Sequence, residues 1–339
     1  MTPRAYSLPS ALKSSGKVLE TYGIEIEYGP NPAPVPELLS DQAKSAWPNL
    51  PRLPLAVRNA DQLGALRRFT AAREQEEYKR LKDEYAIRDV SINGVRTMWS
   101  TPPDLRHHDK TLIFIHGGAY VMSTRKAQLP LQAAVASRLG LRVVSIGYPK
   151  APEHPYPAAP DAIVEVYRAL LEAYGATDLG LFGASSGGGL VLATLMRLKR
   201  DGLPLPAASA ALSPMADLKL SGDLFQLVGD NDPVLSREGM LDAVAGYCGE
   251  ADRGDPLVSP VFGDYTGVTP LFFLAGTREL VGDDAVRAAA KARGDGCDVT
   301  LIVNDGMWHA AIGDGSGIPE QQFAFDELIK FFEKHLTGG

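Results

Sequence analysis

The chain has 339 residues, of which 45% are hydrophobic and 22% are charged, and this ordinary globular composition excludes disordered and fibrous proteins. Lys and Arg number 34 against 41 Asp and Glu, giving a net charge of −7 that argues against nucleic-acid binding through phosphate contacts. No apolar run is long enough for a membrane span, and the N-terminus lacks the apolar core of a secretory signal. Two cysteines, Cys248 and Cys297, could form a single bridge, but the pattern favours two free buried thiols in a reducing compartment, so we expect a cytoplasmic protein.

Short apolar runs alternate with segments of helical period from Asp89 onward. Asn93-Gly94 separates the first two runs, and this pair favours a type I′ hairpin because both positions accept positive φ. The following runs are continuously apolar, as in strands buried on both faces: TLIFI, LRVVSIGY, DLGLFG, AASAALS, PLFFLAG and DVTLIV. Helix candidates lie between them, and QFAFDELIKFFEKHL follows the last one. The pattern predicts an α/β protein whose mostly parallel sheet is covered by helices on both faces.

Two regions interrupt this rhythm. Residues 1–84 contain GPNPAPVP, where alternate prolines force an extended chain, and then a mixed-charge helical stretch. The charges from Arg67 to Lys82 mix signs at helical spacing, which favours a solvated helix face over a binding patch. The second interruption, residues 215–250, follows ALSP. The sheet pattern therefore occupies residues 85–214 and 251–339.

The strongest chemical signal is the motif G-x-S-x-G at residues 183–187, between a strand candidate and a helix candidate. A nucleophile on a sharp strand-to-helix turn needs small neighbours, and the turn directs the following N–H at an oxyanion. This setting favours Ser185 as a nucleophile over a plain glycine-rich turn. Ser186 is a competing hydroxyl, but the motif register assigns it to backbone donation.

A second signal is HGGAY, directly after a buried strand. The consecutive glycines, Gly117 and Gly118, let the backbone turn its N–H groups into a cleft, as an oxyanion hole requires. A simple strand-end turn would show the same residues. For His116 we predict a structural role, bracing the loop rather than transferring protons.

A serine nucleophile needs a base, and the chain has six histidines. His309 lies in a loop between the last strand and the last helix, at the carboxyl edge of the sheet, whereas the other five lie in a charged stretch, a proline-rich loop, the last helix or the HGGAY loop. Three carboxylates compete as the acid. Glu279 follows the strand PLFFLAG closely, while Asp283 and Asp284 are typical of the first turn of a helix, where they favour the dipole.

Taken in order, HGGAY, YPKAPEHPYPAAPDA, GASSGG, GTRELVGDDA and GMWHA resemble the bacterial hormone-sensitive-lipase family of α/β-hydrolases over residues 85–339. The resemblance implies an α/β-hydrolase fold with a mostly parallel sheet of about eight strands and a helical cap built from residues 1–84 and 215–250. By position it implies a triad of Ser185, Glu279 and His309. It also implies oxyanion N–H groups from Gly117, Gly118 and Ser186.

The chain departs from the family pattern at several positions. Ala119 replaces the third glycine of HGGG, and Ala184 and Ser186 replace the usual Asp and Ala beside the nucleophile. Lys150 stands where leucine is common, and the triad acid is Glu279 rather than Asp.

The function implied is that of a serine carboxylesterase, which hydrolyses short- to medium-chain acyl esters through an acyl-enzyme with no metal or organic cofactor. A lactone, aryl-ester, carbamate or amide hydrolase would use the same residues. A non-catalytic ligand-binding protein of this fold is disfavoured, because such proteins lack a complete triad. The expected partner is a small-molecule ester, with neither nucleic acid nor a membrane span, and the resemblance also implies a homodimer through the sheet edge or the last helix.

Overall fold

The computed structural model of the chain describes residues 33–50 and 60–338. The N-terminal segment 1–84 is therefore described only in part, and residues 29–32 of the proline-rich arm lie outside the described residues, as do residues 51–59.

Eight strands form one sheet, in the spatial order β1-β2-β4-β3-β5-β6-β7-β8. In chain order they are β1 (Ala86–Ile92), β2 (Val95–Thr101), β3 (Thr111–Ile115), β4 (Arg142–Gly147), β5 (Leu179–Ala184), β6 (Ala208–Leu212), β7 (Leu271–Gly276) and β8 (Val299–Asn304). The pairs β1–β2 and β2–β4 are antiparallel, and the remaining pairs are parallel. The mostly parallel sheet predicted from the sequence is confirmed.

The helices of the described residues are α1 (Asp41–Ala46), α2 (Ala60–Leu81), α3 (Leu129–Leu139), α4 (Ala158–Tyr174), α5 (Ser186–Arg200), α6 (Asp223–Leu227), α7 (Arg237–Cys248), α8 (Gly282–Gly294) and α9 (Pro319–Phe332). Within these residues, no helix combines the length and the apolar character needed to cross a bilayer.

The predicted hairpin at Asn93-Gly94 joins β1 to β2. Asn93 has φ 48° and Gly94 has φ 82°, so both turn residues adopt the positive φ that a type I′ turn requires. The turn therefore agrees with the observed register, in which Ile92 pairs with Val95.

In the central strands both faces of the sheet are buried. Successive side chains of a strand point to opposite faces, so one apolar run contributes to the packing on both sides. In β3, Ile113 and Ile115 belong to a core shared with α4, α5 and α8. Leu112 and Phe114 of the same strand belong to a second core, shared with α3 and α9. The continuously apolar runs of β3 to β7 therefore reflect two hydrophobic cores, one on each face. The same expectation is wrong for DVTLIV, because β8 lies at the edge of the sheet and is only half-buried.

Residues 33–50 pack against the loop that carries His309. Trp47 is 1% exposed, its ring contacts that of Trp308 edge-on at 5.9 Å, and its indole N–H donates to the carbonyl of Ala33 at 3.0 Å. The backbone N–H and the hydroxyl of Ser40 donate to the carboxylate of Glu320 at 2.7 and 2.8 Å. This part of the N-terminal segment is thus an integral part of the molecule.

Replacement of Trp47 by alanine should lower the free energy of unfolding by about 3–5 kcal/mol, because it leaves a large cavity beside Trp308. Urea denaturation followed by circular dichroism measures the loss. Leu38→Ala is the matched control, since Leu38 lies in the same segment but is 60% exposed and should change stability by only about 0.5 kcal/mol. Equal losses in the two variants would contradict this packing role.

Candidate active site

Ser185 lies on a sharp turn between β5 and α5. Its backbone has φ 60° and ψ −128°, a strained conformation for a residue other than glycine. The neighbouring glycines make the turn possible, since a Cβ at Gly183 would lie 2.6 Å from the carbonyl oxygen of Gly187, and one at Gly187 would lie 2.0 Å from that of Ile115. The predicted nucleophile therefore lies at the N-terminus of a helix, at the carboxyl edge of the parallel strands.

Glu279 and His309 form a buried pair. The Nδ1 of His309 is 2.5 Å from Oε2 of Glu279. Since a carboxylate can only accept, Nδ1 carries the proton and Nε2 presents its lone pair. This Nε2 is buried and has no hydrogen-bond partner among the described residues. His309 and Ser185 line one cavity. A nucleophilic serine requires a proton acceptor, and Nε2 of His309 is a candidate for this role.

A serine that sequence reasoning missed holds the carboxylate in place. The hydroxyl of Ser213 donates to Oε1 of Glu279 at 2.9 Å, and the backbone N–H of Gly276 donates to the same oxygen at 2.6 Å. Ser213 in turn accepts from the backbone N–H of Ala310 at 3.0 Å. Its position in ALSP, directly after a buried strand neighbouring that of Ser185, was the available signal.

Asp232 is a second buried carboxylate that the sequence did not single out. Its Oδ1 accepts from the N–H groups of Val234 and Leu235 at 2.7 and 2.8 Å, and its Oδ2 accepts from that of Leu280 at 2.8 Å. Burial raises the pKa of Asp232 to about 6. Asp232 thus connects Leu280, the residue after Glu279, to the segment whose Val234 and Leu235 line the cavity.

The surroundings of His309 favour its protonated form. Burial by itself lowers the pKa of His309, but the hydrogen bond and the charge of Glu279 outweigh it, with a further contribution from the charge of Asp232. The net result is a raised pKa. This environment stabilises the imidazolium that forms when His309 accepts a proton, and it thereby makes the neutral side chain a stronger base.

Gly117 and Gly118 bring their backbone close to the nucleophile. A Cβ at Gly117 would lie 2.8 Å from the carbonyl oxygen of Ala184 and 3.1 Å from Cβ of Ser185. Gly118 has φ 118°, and both glycines line the cavity with Ser185. The N–H of Gly117 has one long contact, 3.4 Å to the side-chain oxygen of Gln128. A side chain is thus excluded at both positions.

Ser186 is the first residue of α5, so its N–H is one of the helix-terminal donors that lack an acceptor within the helix. Its hydroxyl is buried and has no partner among the described residues. This arrangement agrees with the expectation that the backbone of Ser186, rather than its side chain, is directed to chemistry.

His116 lies beneath the loop rather than in the cavity. Its ring stacks on that of Tyr148 at 4.2 Å, and its Nδ1 is 2.7 Å from the carbonyl oxygen of Gly117. The hydroxyl of Tyr148 donates to the backbone carbonyl of His116 at 2.7 Å. Burial lowers the pKa of His116 to about 3, so the ring stays neutral. These contacts support the predicted bracing role.

Asp283 and Asp284 occupy the first turn of α8, as predicted. Their hydrogen bonds go to other segments: Asp283 accepts from the N–H of Leu224 at 3.1 Å, and Asp284 accepts from those of Ala216 and Asp217 at 2.8 and 2.9 Å. These carboxylates hold the segment after β6, and it is Glu279 that contacts His309.

The cavity has a volume of about 330 Å³. Besides Ser185, His309, Ala310 and the two glycines, its lining comes from residues 119–130, from α2 and from the 215–250 segment. The last two contribute Phe69, Thr70, Arg73, Glu74, Glu77, Val234, Leu235 and Met240. The expectation that the charge run from Arg67 to Lys82 is a solvated face is wrong for Glu74, which is buried. The run could not reveal this, because the burying partner comes from the loop after β3.

Potential metal ligands are not clustered in the part of the chain that is described: no group of three His, Cys, Asp or Glu side chains is arranged to hold an ion.

The sheet carries a serine on its central strand-to-helix turn and an acid–histidine pair at the same edge. This arrangement defines an α/β-hydrolase. A family model described as alpha/beta hydrolase fold matches residues 112–313. Two relatives are an esterase of Acinetobacter venetianus, 34% identical over 72% of this chain and 81% of its own, and an acetyl-hydrolase of Streptomyces hygroscopicus, 33% identical over 74% and 83%.

Among solved structures, an esterase from the bacterial hormone-sensitive lipase family superposes with a TM-score of 0.76 at 31% identity, covering 83% of this chain and 94% of its own. The chain belongs to the bacterial hormone-sensitive-lipase family of α/β-hydrolases and is a serine carboxylesterase. The family resemblance read from the motifs is confirmed, and with it the class of reaction.

Proposed function

We propose that Ser185 is the nucleophile, His309 the general base and Glu279 the acid that orients it, and that the substrates are short- to medium-chain acyl esters. The observation that carries this assignment is the bond between His309 Nδ1 and Glu279, which leaves Nε2 as the proton acceptor in the cavity that Ser185 also lines.

In the first half-reaction, Nε2 of His309 takes the proton of the Ser185 hydroxyl as its oxygen attacks the ester carbonyl carbon. The N–H groups of Gly117, Gly118 and Ser186 stabilise the negative charge that develops on the carbonyl oxygen. The C–O bond to the alcohol then breaks, and His309 returns the proton to the departing oxygen. In the second half-reaction, water repeats the sequence on the acyl-enzyme and releases the acid.

The cavity supports the proposed chain length. Its volume of about 330 Å³ lies at the lower end of the range for small-molecule sites. Phe69, Val234, Leu235 and Met240 contribute apolar lining, and Arg73, Glu74, Glu77 and Lys126 contribute charged lining. A cavity of this volume favours a short acyl group over a long one. Lactones, aryl esters, carbamates and amides would meet the same reacting groups, and the acetyl-hydrolase among the relatives favours the simple ester.

A panel of p-nitrophenyl esters from acetate to palmitate, together with lactones and anilides, tests this proposal. We expect kcat/KM to be highest between acetate and octanoate and to fall at least about tenfold for palmitate. Rapid quenching followed by intact-mass measurement should detect one acyl group per chain, removed by Ser185→Ala. Lactones or anilides turned over faster than every ester would contradict the proposed substrate class.

We also propose that residues 1–84 and 215–250 form a cap over two core segments, 85–214 and 251–339. The cavity-lining residues of α2 and of the 234–240 stretch support this division. The free thiols of Cys248 and Cys297 support a cytoplasmic location, and the net charge of −7 supports the absence of a nucleic-acid partner. A homodimer is supported by exposed Val303 on the edge strand β8 and exposed Phe323 on α9.

A further inference from the structure

Helix α2 is bonded directly to the loop that carries Gly117 and Gly118. We define the oxyanion loop as residues 116–128, between β3 and α3. Glu74 of α2 is 7% exposed, and its two oxygens accept from Thr124 of this loop: one from the backbone N–H at 3.2 Å and the other from the hydroxyl at 2.5 Å. Both hydrogen-bond donors of Thr124 are thereby fixed by one carboxylate, while the Thr124 hydroxyl oxygen also accepts from the N–H of Lys126 at 3.2 Å.

Two further side chains join the same helix and loop. Arg67 of α2 donates through Nε to the carbonyl of Val121 at 2.7 Å and through a terminal nitrogen to that of Ala151 at 2.6 Å. Lys126 of the loop reaches back to the side-chain oxygen of Gln75 at 2.7 Å and lies over the ring of Tyr78 at 4.2 Å. Three separate contacts thus fix the loop to one face of α2.

The oxyanion loop is strained and requires such support. Four of its residues other than glycine have positive φ: Ala119 (51°), Tyr120 (65°), Ser123 (70°) and Gln128 (55°). Conformations of this kind cost free energy and persist only when surrounding contacts hold them. The contacts with α2 supply this restraint from outside the loop.

The restraint reaches Gly118 through short paths. The N–H groups of Val121 and Met122 donate to the carbonyl of Gly118 at 3.1 and 3.0 Å. The hydroxyl of Ser123, the neighbour of Thr124, packs so closely that a Cβ on Gly118 would lie 2.9 Å from it. Movement of Thr124 would therefore displace the backbone on which the N–H of Gly118 sits.

Burial of the Glu74 carboxyl group at this position costs free energy. Burial raises the pKa of Glu74, although the hydrogen bonds from Thr124 lower it. A buried carboxylate bonded to a neutral side chain contributes little to stability. Its contribution is geometric instead, since two charge-assisted bonds to one residue fix both position and orientation.

We propose that Glu74 and Thr124 are positioning residues for catalysis, through which α2 holds the N–H groups of Gly117 and Gly118 at the distance the developing oxyanion needs. This inference rests on the oxyanion role proposed above. The helix thus does more than cover the cavity, because it sets the geometry of the transition-state site.

Thr124→Val removes the hydroxyl with almost no change of shape and tests the inference. We expect kcat to fall about tenfold with KM within about twofold of the wild type, because oxyanion donors act chiefly in the transition state. The affinity for an alkylboronic acid, which forms a tetrahedral adduct with a nucleophilic serine, should fall by the same factor. Rates are normalised to titrated active sites, and the melting temperature is recorded for each variant.

Three further variants complete the test. Thr124→Ser keeps the hydroxyl and should restore kcat. Glu76→Gln, on the same helix but exposed and paired with Lys79, should match the wild type. If Thr124→Val does not fold, Glu74→Gln replaces it, since an amide can still accept from the Thr124 N–H and should give an intermediate kcat.

The contrary results are distinct. Unchanged kcat and boronic-acid affinity per active site in Thr124→Val would overturn the inference, as would a raised KM with normal kcat, which would assign this contact to substrate binding. If the wild type hydrolyses esters and Thr124→Val gives either of these results, the inference is wrong and the proposed function is unaffected. A wild-type protein that forms no acyl-enzyme with any ester contradicts the proposed function and, with it, the inference.

Discussion

Replacing Ser185 by alanine should lower kcat for p-nitrophenyl butyrate by a factor on the order of 10⁶, because the residues of a triad act as one unit. Alanine removes the attacking oxygen and keeps the Cβ that the turn already accommodates at φ 60°. The variant should therefore fold with an unchanged circular dichroism spectrum. Its turnover is measured in parallel with intact mass, which should show no acyl adduct.

Ser186→Ala is the matched control for this experiment. The Ser186 hydroxyl is buried without a partner among the described residues, and the substitution leaves the backbone N–H in place. We expect turnover close to that of the wild type. An active Ser185→Ala enzyme combined with an inactive Ser186→Ala enzyme would show that the nucleophile is the second serine of the turn.

Glu279→Gln should lower kcat by a factor on the order of 10⁴, as happens when a triad histidine loses its orienting charge. The fold should be retained, because glutamine has the same shape and its oxygen can still accept from Ser213 and from the N–H of Gly276. The amide cannot stabilise the imidazolium that forms when His309 accepts the serine proton. Steady-state kinetics with a slow, sensitive fluorogenic ester measures the residual rate.

The same variant should shift the pH profile. His309 must be neutral to act as a base, so wild-type kcat/KM falls as the pH drops through its raised pKa. In Glu279→Gln the bond and charge that raise this pKa are lost while burial still lowers it. The acid limb of kcat/KM should therefore move to lower pH. A limb that stays in place would show that Glu279 does not set the pKa of His309.

Asp283→Asn is the matched control for the acid. An asparagine oxygen can still accept from the N–H of Leu224, so we expect near-normal turnover and a modest loss of stability. Inactivity of Asp283→Asn together with normal turnover of Glu279→Gln would transfer the role of triad acid to Asp283.

The sequence was informative wherever a requirement is local. Gly183 is required by its close approach to Gly187 inside one strand–turn–helix unit, and Asn93-Gly94 by the φ angles of one turn. Continuous apolar runs predicted the buried strands β3 to β7 for the same reason, since each run is a single segment, but the burial of DVTLIV was predicted wrongly because its place at the sheet edge is not a local property. The positions of Ser185 and His309 at a common edge followed from the order of strands alone, because parallel strands place their carboxyl ends together.

Only the tertiary structure could reveal the groups that support these residues. Ser213, Asp232 and Glu74 each bind a partner that lies at least 45 residues away along the chain, and no local pattern encodes such a distance. The charge run of α2 shows the limit most clearly: by composition it is typical of a solvated helix, yet Glu74 is buried against Thr124. The sequence by itself determined the fold and the family and predicted a candidate triad, since these depend on short motifs and their order. The burial of Glu74 and Asp232 was decided by packing between distant segments, because the energy of a buried charge depends on which donors surround it in space.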